Sequence, residues 1–439
     1  MDTKDIYRQL LPEALKIASV STDSKFRDEI SRMAKWWTEQ FRKHGFKVQT
    51  YTGYGNPIIL ASYRVDPQAE TLLIYGHYDV QPADQSEGWQ ADPFSLYEDN
   101  SRLYGRGVAD NKGQVLIHVA TAFDLIQKEK LGYNLLFLME GEEEVGSPRL
   151  NDFLRDQRSK LQADAALISD GEVSEKKPVI ELGFRGVING TIGIKTAHND
   201  LHSGLFGPAV PNASHSAARL ISRMHRPNGK VAVPHFYQGA KAPTGDLGRT
   251  SKQKITEFLK LAGVKKIYNE KRLSPATTVG SRPALEITGV RSGYTGEGYR
   301  NSIPATAEIK FNIRLVPGQK PEIIKRALKK WIREQLPETQ KTELELTPHI
   351  PAVKLESQNT YINRAVQALS EVTGQQPEFQ YSGGTLPIAT YLKQIPNLAQ
   401  VYVPLANDDC QMHGVNENLN KKQLERGLEF SSRFLSSDQ

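Results

Sequence analysis

Five residues of zinc-ligand type stand in four places along this chain, each behind an apolar run that reads as a buried strand. Leu72-Leu73-Ile74-Tyr75 runs into Gly76-His77-Tyr78-Asp79, and Gly105-Arg106-Gly107-Val108-Ala109 runs into Asp110-Asn111. Leu135 to Met139 ends in Glu140-Gly141-Glu142-Glu143-Glu144, and Ala165 to Ile168 is followed by Asp170. Far downstream, Gln400-Val401-Tyr402-Val403 leads through Asn407-Asp408-Asp409 to His413. Short continuous apolar runs are the signature of strands covered on both faces. In an open α/β sheet, groups distant in sequence converge beyond the carboxyl ends of such strands. The pattern therefore constrains the fold and the place of its chemistry together.

With 439 residues the chain exceeds one ordinary core, and two domains are expected. Apolar recurrence at helical spacing marks residues 5–18 and 26–44, as in Ile30, Met33, Ala34, Trp37 and Phe41. Strand-like runs at 58–61, 72–75, 135–139 and 165–168 then alternate with helical ones, including a helix beginning near Asn111. That alternation argues for a three-layer α/β domain with a mostly parallel sheet. Near residue 184 the period changes to two: 187–195 and 307–315 alternate apolar with polar or small side chains, as half-exposed antiparallel strands do. With helices expected at 214–225 and 321–336, residues 184–351 read as a smaller α+β domain inserted into a catalytic domain formed by 1–183 and 352–439. Residues 234–278, polar and rich in Lys, read as a surface excursion with one helix near 252–261.

A net charge of +6 would matter if it were clustered, but the 56 basic residues are mixed with 50 acidic ones. No nucleic-acid partner is expected from such diffuse charge. No run approaches the length of a membrane span, and the charged start Met1-Asp2-Thr3-Lys4-Asp5 carries no export pattern, so a cytoplasmic location is expected. The single cysteine, Cys410, excludes an internal disulfide and reads as a buried filler.

Zinc accepts imidazole nitrogen and carboxylate oxygen, and two ions about 3.5–4 Å apart need a shared carboxylate. His77 with Asp79 two residues on suits a ligating imidazole whose other nitrogen is fixed by a carboxylate. Each feature has a plainer alternative. Asp110 could cap the helix behind it, the glutamate cluster could be a solvated loop, and Asp170 could belong to a turn. Together they point to a dinuclear metal hydrolase, with the cluster at the mouth of its strand.

The motifs resemble those of the dinuclear-zinc metallopeptidase family that contains carnosinase-type and nonspecific dipeptidases, acetylornithine deacetylase, succinyl-diaminopimelate desuccinylase and aminoacylase. Those that carry the likeness are Gly76-His77-Tyr78-Asp79-Val80-Gln81-Pro82, Gly105 to Gly113, Glu140 to Ser147, Leu201-His202-Ser203-Gly204, Gly293 to Gly298, Phe311 to Pro317 and Gly383-Gly384-Thr385. They span essentially the whole chain and lie closest to the dipeptidase branch. The resemblance implies a bridging Asp110, with His77 and Asp170 on one ion and Glu144 and His413 on the other. It also implies a cis peptide after Asp110, Glu143 as general base, and a dimer made through the inserted lid domain, from which His202 reaches the partner's site. Arg314, Asn301, Gly384 and Thr385 then bind substrate, a small peptide or N-acyl amino acid. Two divalent ions per chain are implied as well, zinc first, with manganese or cobalt as alternatives. In one respect the chain departs from carnosinase-type dipeptidases: Tyr381-Ser382 stands where they commonly carry Arg-Glu before the double glycine. Dipeptidase, carboxypeptidase and deacylase activities all stay open.

Overall fold

The structure is a computed structural model that describes residues 2–175, 177–241, 252–267, 273–274 and 277–437. The chain forms two compact units: Met1–Leu182 with Leu355–Gln380 and Pro387–Gln439, and Gly183–Lys354 with Tyr381–Leu386. The short segment 381–386, which carries Ser382 and the double glycine, thus packs with the second unit although sequence continuity groups it with the first.

The first unit is built on a six-stranded sheet in the order Lys47–Tyr51, Ile58–Tyr63, Asn134–Glu140, Thr71–His77, Ala165–Ile168, Ala399–Tyr402. Its first two joins are antiparallel and the other three parallel. The three central strands are buried at nearly every position, which explains their unbroken apolar runs. His77 pairs in register with Glu140, so the two turns that carry candidate ligands leave the sheet at the same level. Helix Arg27–Lys43 turns Ile30, Met33, Ala34, Trp37 and Phe41 inward, and Phe41 meets the ring of Phe137 on the sheet at 5.0 Å. Acidic residues in its first turn and basic ones in its last complement the helix dipole. Helix Lys112–Gln127 is buried from Lys112 through Leu125 and packs against Thr3–Leu15 and Lys421–Leu435. Being enclosed, this helix buries polar side chains such as Gln114 and His118 along with its apolar ones, and its start, beside Asp110, is held in a fixed place.

The second unit holds an antiparallel sheet in the order Ala284–Ser292, Thr306–Leu315, Gly186–Lys195, Lys341–Leu346. Burial alternates along Thr306–Leu315, and the inward residues Ile309, Phe311 and Ile313 join Leu220 and Leu328, from helices Ala213–Met224 and Pro321–Gln335, in one core. The stretch read as a surface excursion is only partly one. Phe236 is fully buried in this core, and Thr277–Ser281 form a largely buried π-helical turn. An aromatic anchor inside a polar segment escapes an average over composition. Helix Lys252–Ala262 is present, while 242–251, 268–272 and 275–276 lie outside the described residues. No helix among the described residues is long and apolar enough to cross a membrane.

Candidate metal centre

The carboxylate of Asp110 stands between two imidazoles. Its Oδ1 lies 2.9 Å from His77 Nε2 and its Oδ2 lies 2.8 Å from His413 Nε2. Asp170 Oδ2 is 3.7 Å from the same His77 nitrogen, and Glu144 Oε2 is 3.3 Å from His413 Nε2. Two sets of potential ligands result, His77-Asp110-Asp170 and Asp110-Glu144-His413, with the ligand atoms of each set within 4.8 Å of one another. The peptide Asp110–Asn111 is cis, and Asn111 Nδ2 donates to the carbonyl of Ser169 at 2.7 Å, tying this turn to the strand end before Asp170. Asp110 does not cap the helix behind it: Asn111 stands at the N-cap and makes no capping hydrogen bond.

Asp79 lies just past the end of strand Thr71–His77. His77 Nδ1 lies 3.1 Å from the carbonyl O of Asp79 and 3.3 Å from its Oδ1, and the Asp79 carboxylate accepts the backbone N–H groups of Glu143 and Glu144 at 3.2 and 3.1 Å. One residue therefore orients an imidazole and the turn bearing two glutamates. Gln81, which carries no signal in the sequence beyond its place in a motif, donates to Glu144 Oε2 at 2.7 Å. Glu140 departs from expectation. It is the last residue of its strand and is buried, accepting from the Tyr75 hydroxyl at 2.7 Å and Ser147 Oγ at 2.9 Å, so it stays out of the cluster at the mouth. Burial pushes its pKa up to about 7. Cys410 is buried and outside both ligand sets, its thiol donating to Glu172.

The electrostatics are those of crowded acids. Burial pushes the carboxyl of Glu143 well above the usual range and that of Asp170 up to about 7, with neighbouring carboxylates adding to both. Burial opposes charge on His77, but hydrogen bonds with Asp110 and Asp79 overcome it and raise its pKa. Hydrogen bonds to Asp110 and Glu144 raise His413 to about 10. Glu144 Oε1 is buried with no partner among the described residues. Convergent acids, two imidazoles on one carboxylate and an orphaned oxygen are a donor set suited to divalent cations.

The remaining candidate residues belong to the second unit. His202 is exposed, its Nδ1 accepting the N–H of Gly204 at 3.1 Å, and the carbonyl of Asn301 accepts the N–H of the adjacent Ser203. Arg314 Nη1 donates to Thr385 Oγ1 at 2.8 Å. Arg185, also missed in the sequence, donates from its backbone to Gly384 O at 2.9 Å and from Nε to Gly383 O at 2.7 Å. Burial and the nearby Arg314 push the Arg185 guanidinium down to about 10, and burial lowers Arg314 as well.

A strand-end cluster of this composition on a mixed α/β sheet defines a metal-dependent hydrolase. Residues 73–437 match the model of peptidase family M20/M25/M40. The Cys-Gly metallodipeptidase dug1 of Schizosaccharomyces pombe is 31% identical, over 98% of this chain and 95% of its own. The human Beta-Ala-His dipeptidase is 29% identical, over 98% and 90%. Among solved structures, the di-peptidase Dug1p from Saccharomyces cerevisiae superimposes with a TM-score of 0.86 at 26% identity, covering 99% and 96% of the two chains. The M20 family metallo-carboxypeptidase Sso-CP2 from Sulfolobus solfataricus gives 0.88 at 28%, covering 98% of each. The chain belongs to peptidase family M20/M25/M40 and is a metallopeptidase.

Proposed function

We propose that this metallopeptidase hydrolyses the amide bond of dipeptides or short peptides at a pair of divalent ions, zinc in the first instance. The observation that carries the reading is Asp110, whose two oxygens face His77 and His413 separately, as a bridging ligand's would. In it, Asp110 is shared, His77 and Asp170 complete one site, and Glu144 and His413 complete the other. Ions held there supply Lewis acidity and bring the pKa of water toward neutrality.

The chain's own residues do the rest. Glu143 belongs to neither ligand set, yet Asp79 fixes its backbone in the turn beside them. It accepts a proton from the attacking water and returns it to the departing amine nitrogen. As a carboxylate beside the cations it would take the proton in one step and give it back in the next. Asp79 keeps His77 in orientation, and His202 donates to the oxyanion of the tetrahedral intermediate. Arg314, with a planar guanidinium steadied by Thr385, receives a substrate carboxylate, alongside Gly384 and Asn301. A homodimer through the second unit belongs to this reading, with each His202 serving the partner's site. A cytoplasmic location belongs to it too, and the free, buried Cys410 is compatible with a reducing compartment.

One observation favours a second reading. Ser382, next to the double glycine, carries no charge to recognise a free amine, and its Oγ accepts the N–H of Gly384. Carboxypeptidase or N-acyl-amino-acid hydrolase action needs no such recognition. A panel of free dipeptides, longer peptides and N-acetyl amino acids, assayed on zinc-loaded protein, separates the two. Glu143→Gln in the same panel should lose on the order of 10²–10⁴ in rate while keeping its metal. Loss of an ion, or full activity, overturns the assignment of Glu143.

A further inference from the structure

Glu417 is fully buried four residues beyond His413, and its carboxylate uses both oxygens twice. Oε1 accepts the backbone N–H groups of Ala109 and Asp110 at 2.8 and 3.0 Å. Oε2 accepts the N–H of Gly107 at 3.0 Å and Nη1 of Arg106 at 2.7 Å. Arg106 is equally buried, its guanidinium 5.2 Å from the centre of the Trp89 ring, and its Nη2 donates to Gly414 O at 3.1 Å, with longer contacts to His413 O at 3.4 Å and Pro82 O at 3.3 Å. The pair therefore ties together the turn ending in Asp110, the loop carrying His413 and the segment just past His77 and Asp79.

We infer that Glu417, balanced by Arg106, is a positioning residue that holds Asp110 where both ions can share it. A buried ion pair is a poor device for stability alone, because well-packed apolar residues often serve as well. Here the pair does something that apolar side chains cannot. It grips the N–H of the bridging residue itself and that of the residue before it, on a turn that must present its carboxylate in one direction. Only a carboxylate meets all four donors. A glutamine at 417 has one acceptor oxygen, so whichever way its amide is turned, two N–H donors face an NH₂ group. Because Asp110 belongs to both ligand sets, its displacement should weaken both ions, whereas a loss at Arg106 should reach the set containing His413.

The inference rests on the two-ion reading, and the test keeps the two apart. Metal-free wild type, Glu417→Gln and Arg106→Lys are titrated with zinc in competition with a chromogenic chelator, and their metal-free melting curves are recorded. Wild type should bind two zinc ions; fewer would overturn the two-ion reading itself. Given two, Glu417→Gln should bind both more weakly by about 10- to 100-fold, the usual effect of removing a group that orients a ligand. Arg106→Lys keeps the charge but loses the fork that reaches Glu417 and Gly414 together, and should weaken one binding step by about tenfold. A mere loop anchor would lower the metal-free melting temperature and leave zinc affinity well below the melt unchanged. If Glu417→Gln does not fold, Arg106→Lys decides alone. Both zinc steps within about twofold of wild type, in whichever variants fold, would overturn the inference.

Discussion

Replacing Gly113 by alanine sets two effects of opposite sign against each other. Gly113 lies in the first turn of helix Lys112–Gln127, where alanine would ordinarily be the better residue by about 1 kcal/mol. Its Cβ, however, would stand 1.8 Å from the carbonyl oxygen of Val108, about 1.2 Å short of the 3.0 Å that real Cβ contacts keep. The helix cannot yield, since its neighbouring residues from Gln114 to Ala120 are buried without exception. The turn must move instead, and it is fastened to this point, because the N–H of Gly113 donates to Gly107 O at 3.0 Å. Val108 is two residues from Asp110, so a shift of about 1 Å reaches the shared carboxylate. Misplacement on that scale costs on the order of 10² in rate, or about 2.7 kcal/mol in the barrier, and a gain in helix stability does nothing to offset it. Steady-state hydrolysis of a dipeptide that wild type cleaves, at saturating zinc, should show kcat/KM falling by about 10². As a control, Gly193→Ala, whose nearest contact is 3.8 Å away, should change nothing. A Gly113→Ala enzyme within about threefold of wild type would refute the coupling between helix start and bridging ligand.

Asp110→Ala should bind fewer than two ions at saturation, because the residue belongs to both ligand sets; unchanged stoichiometry in metal analysis contradicts the bridging role. His118, buried between Ser431 Oγ and Ser169 Oγ, has its pKa pushed down to about 3 from 6.5, so its contribution to stability is complete above pH 6.5 and is lost as pH falls toward 3. Denaturant curves of the metal-free protein should then show an acid-side slope in wild type steeper by up to about 1.4 kcal/mol per pH unit than in His118→Asn; equal slopes refute this. Mixing inactive His202→Ala and Glu143→Gln chains should restore activity toward about a quarter of wild type, since random pairing yields about half mixed dimers with one intact site of two. No recovery after confirmed subunit exchange places His202 outside the partner's site.

The ligand-bearing strand ends were legible because a parallel strand covered on both faces advertises itself as an apolar run, and the residues directly after such a run form the turn at its carboxyl end. His77 and Asp170 stand out this way as candidate ligands, whereas the choice of Glu144 within its cluster comes from the family resemblance and His413 lies well beyond the run ending at Val403; the period-two stretch through Phe311 announces the second sheet. What hid from the sequence was whatever works through backbone N–H groups, which have no letter of their own. Asp79 was readable as a partner for His77, but not as the acceptor that fixes Glu143 and Glu144. Glu417 gave no signal at all, because its partners are three peptide groups and an arginine more than 300 positions earlier. Glu140 misled for a related reason: in the sequence it heads the glutamate cluster, yet it is still in the strand and turns inward to Tyr75.

The second unit bears on the choice between the two substrate readings. Arg185 and Arg314 are near enough for one to depress the other's pKa, and among the described residues neither forms an ion pair with a carboxylate; Glu286 only partly offsets the effect on Arg185. Two like charges held half-buried in this way are costly unless an anion joins them, and the neutral Ser382, Gly383, Gly384 and Thr385 around them bring none. On the proposed reading such a cluster would take its ligand by a carboxylate, and the acid that acts on it, Glu286, only partly offsets its charge. Free dipeptides, longer peptides and N-acyl amino acids all present that carboxylate, and only the first must place an ammonium group close by. Recognition of the carboxylate is thus common to both readings. An acid elsewhere in the site that meets the ammonium would favour dipeptidase action, and its absence would favour cleavage of longer or acylated substrates.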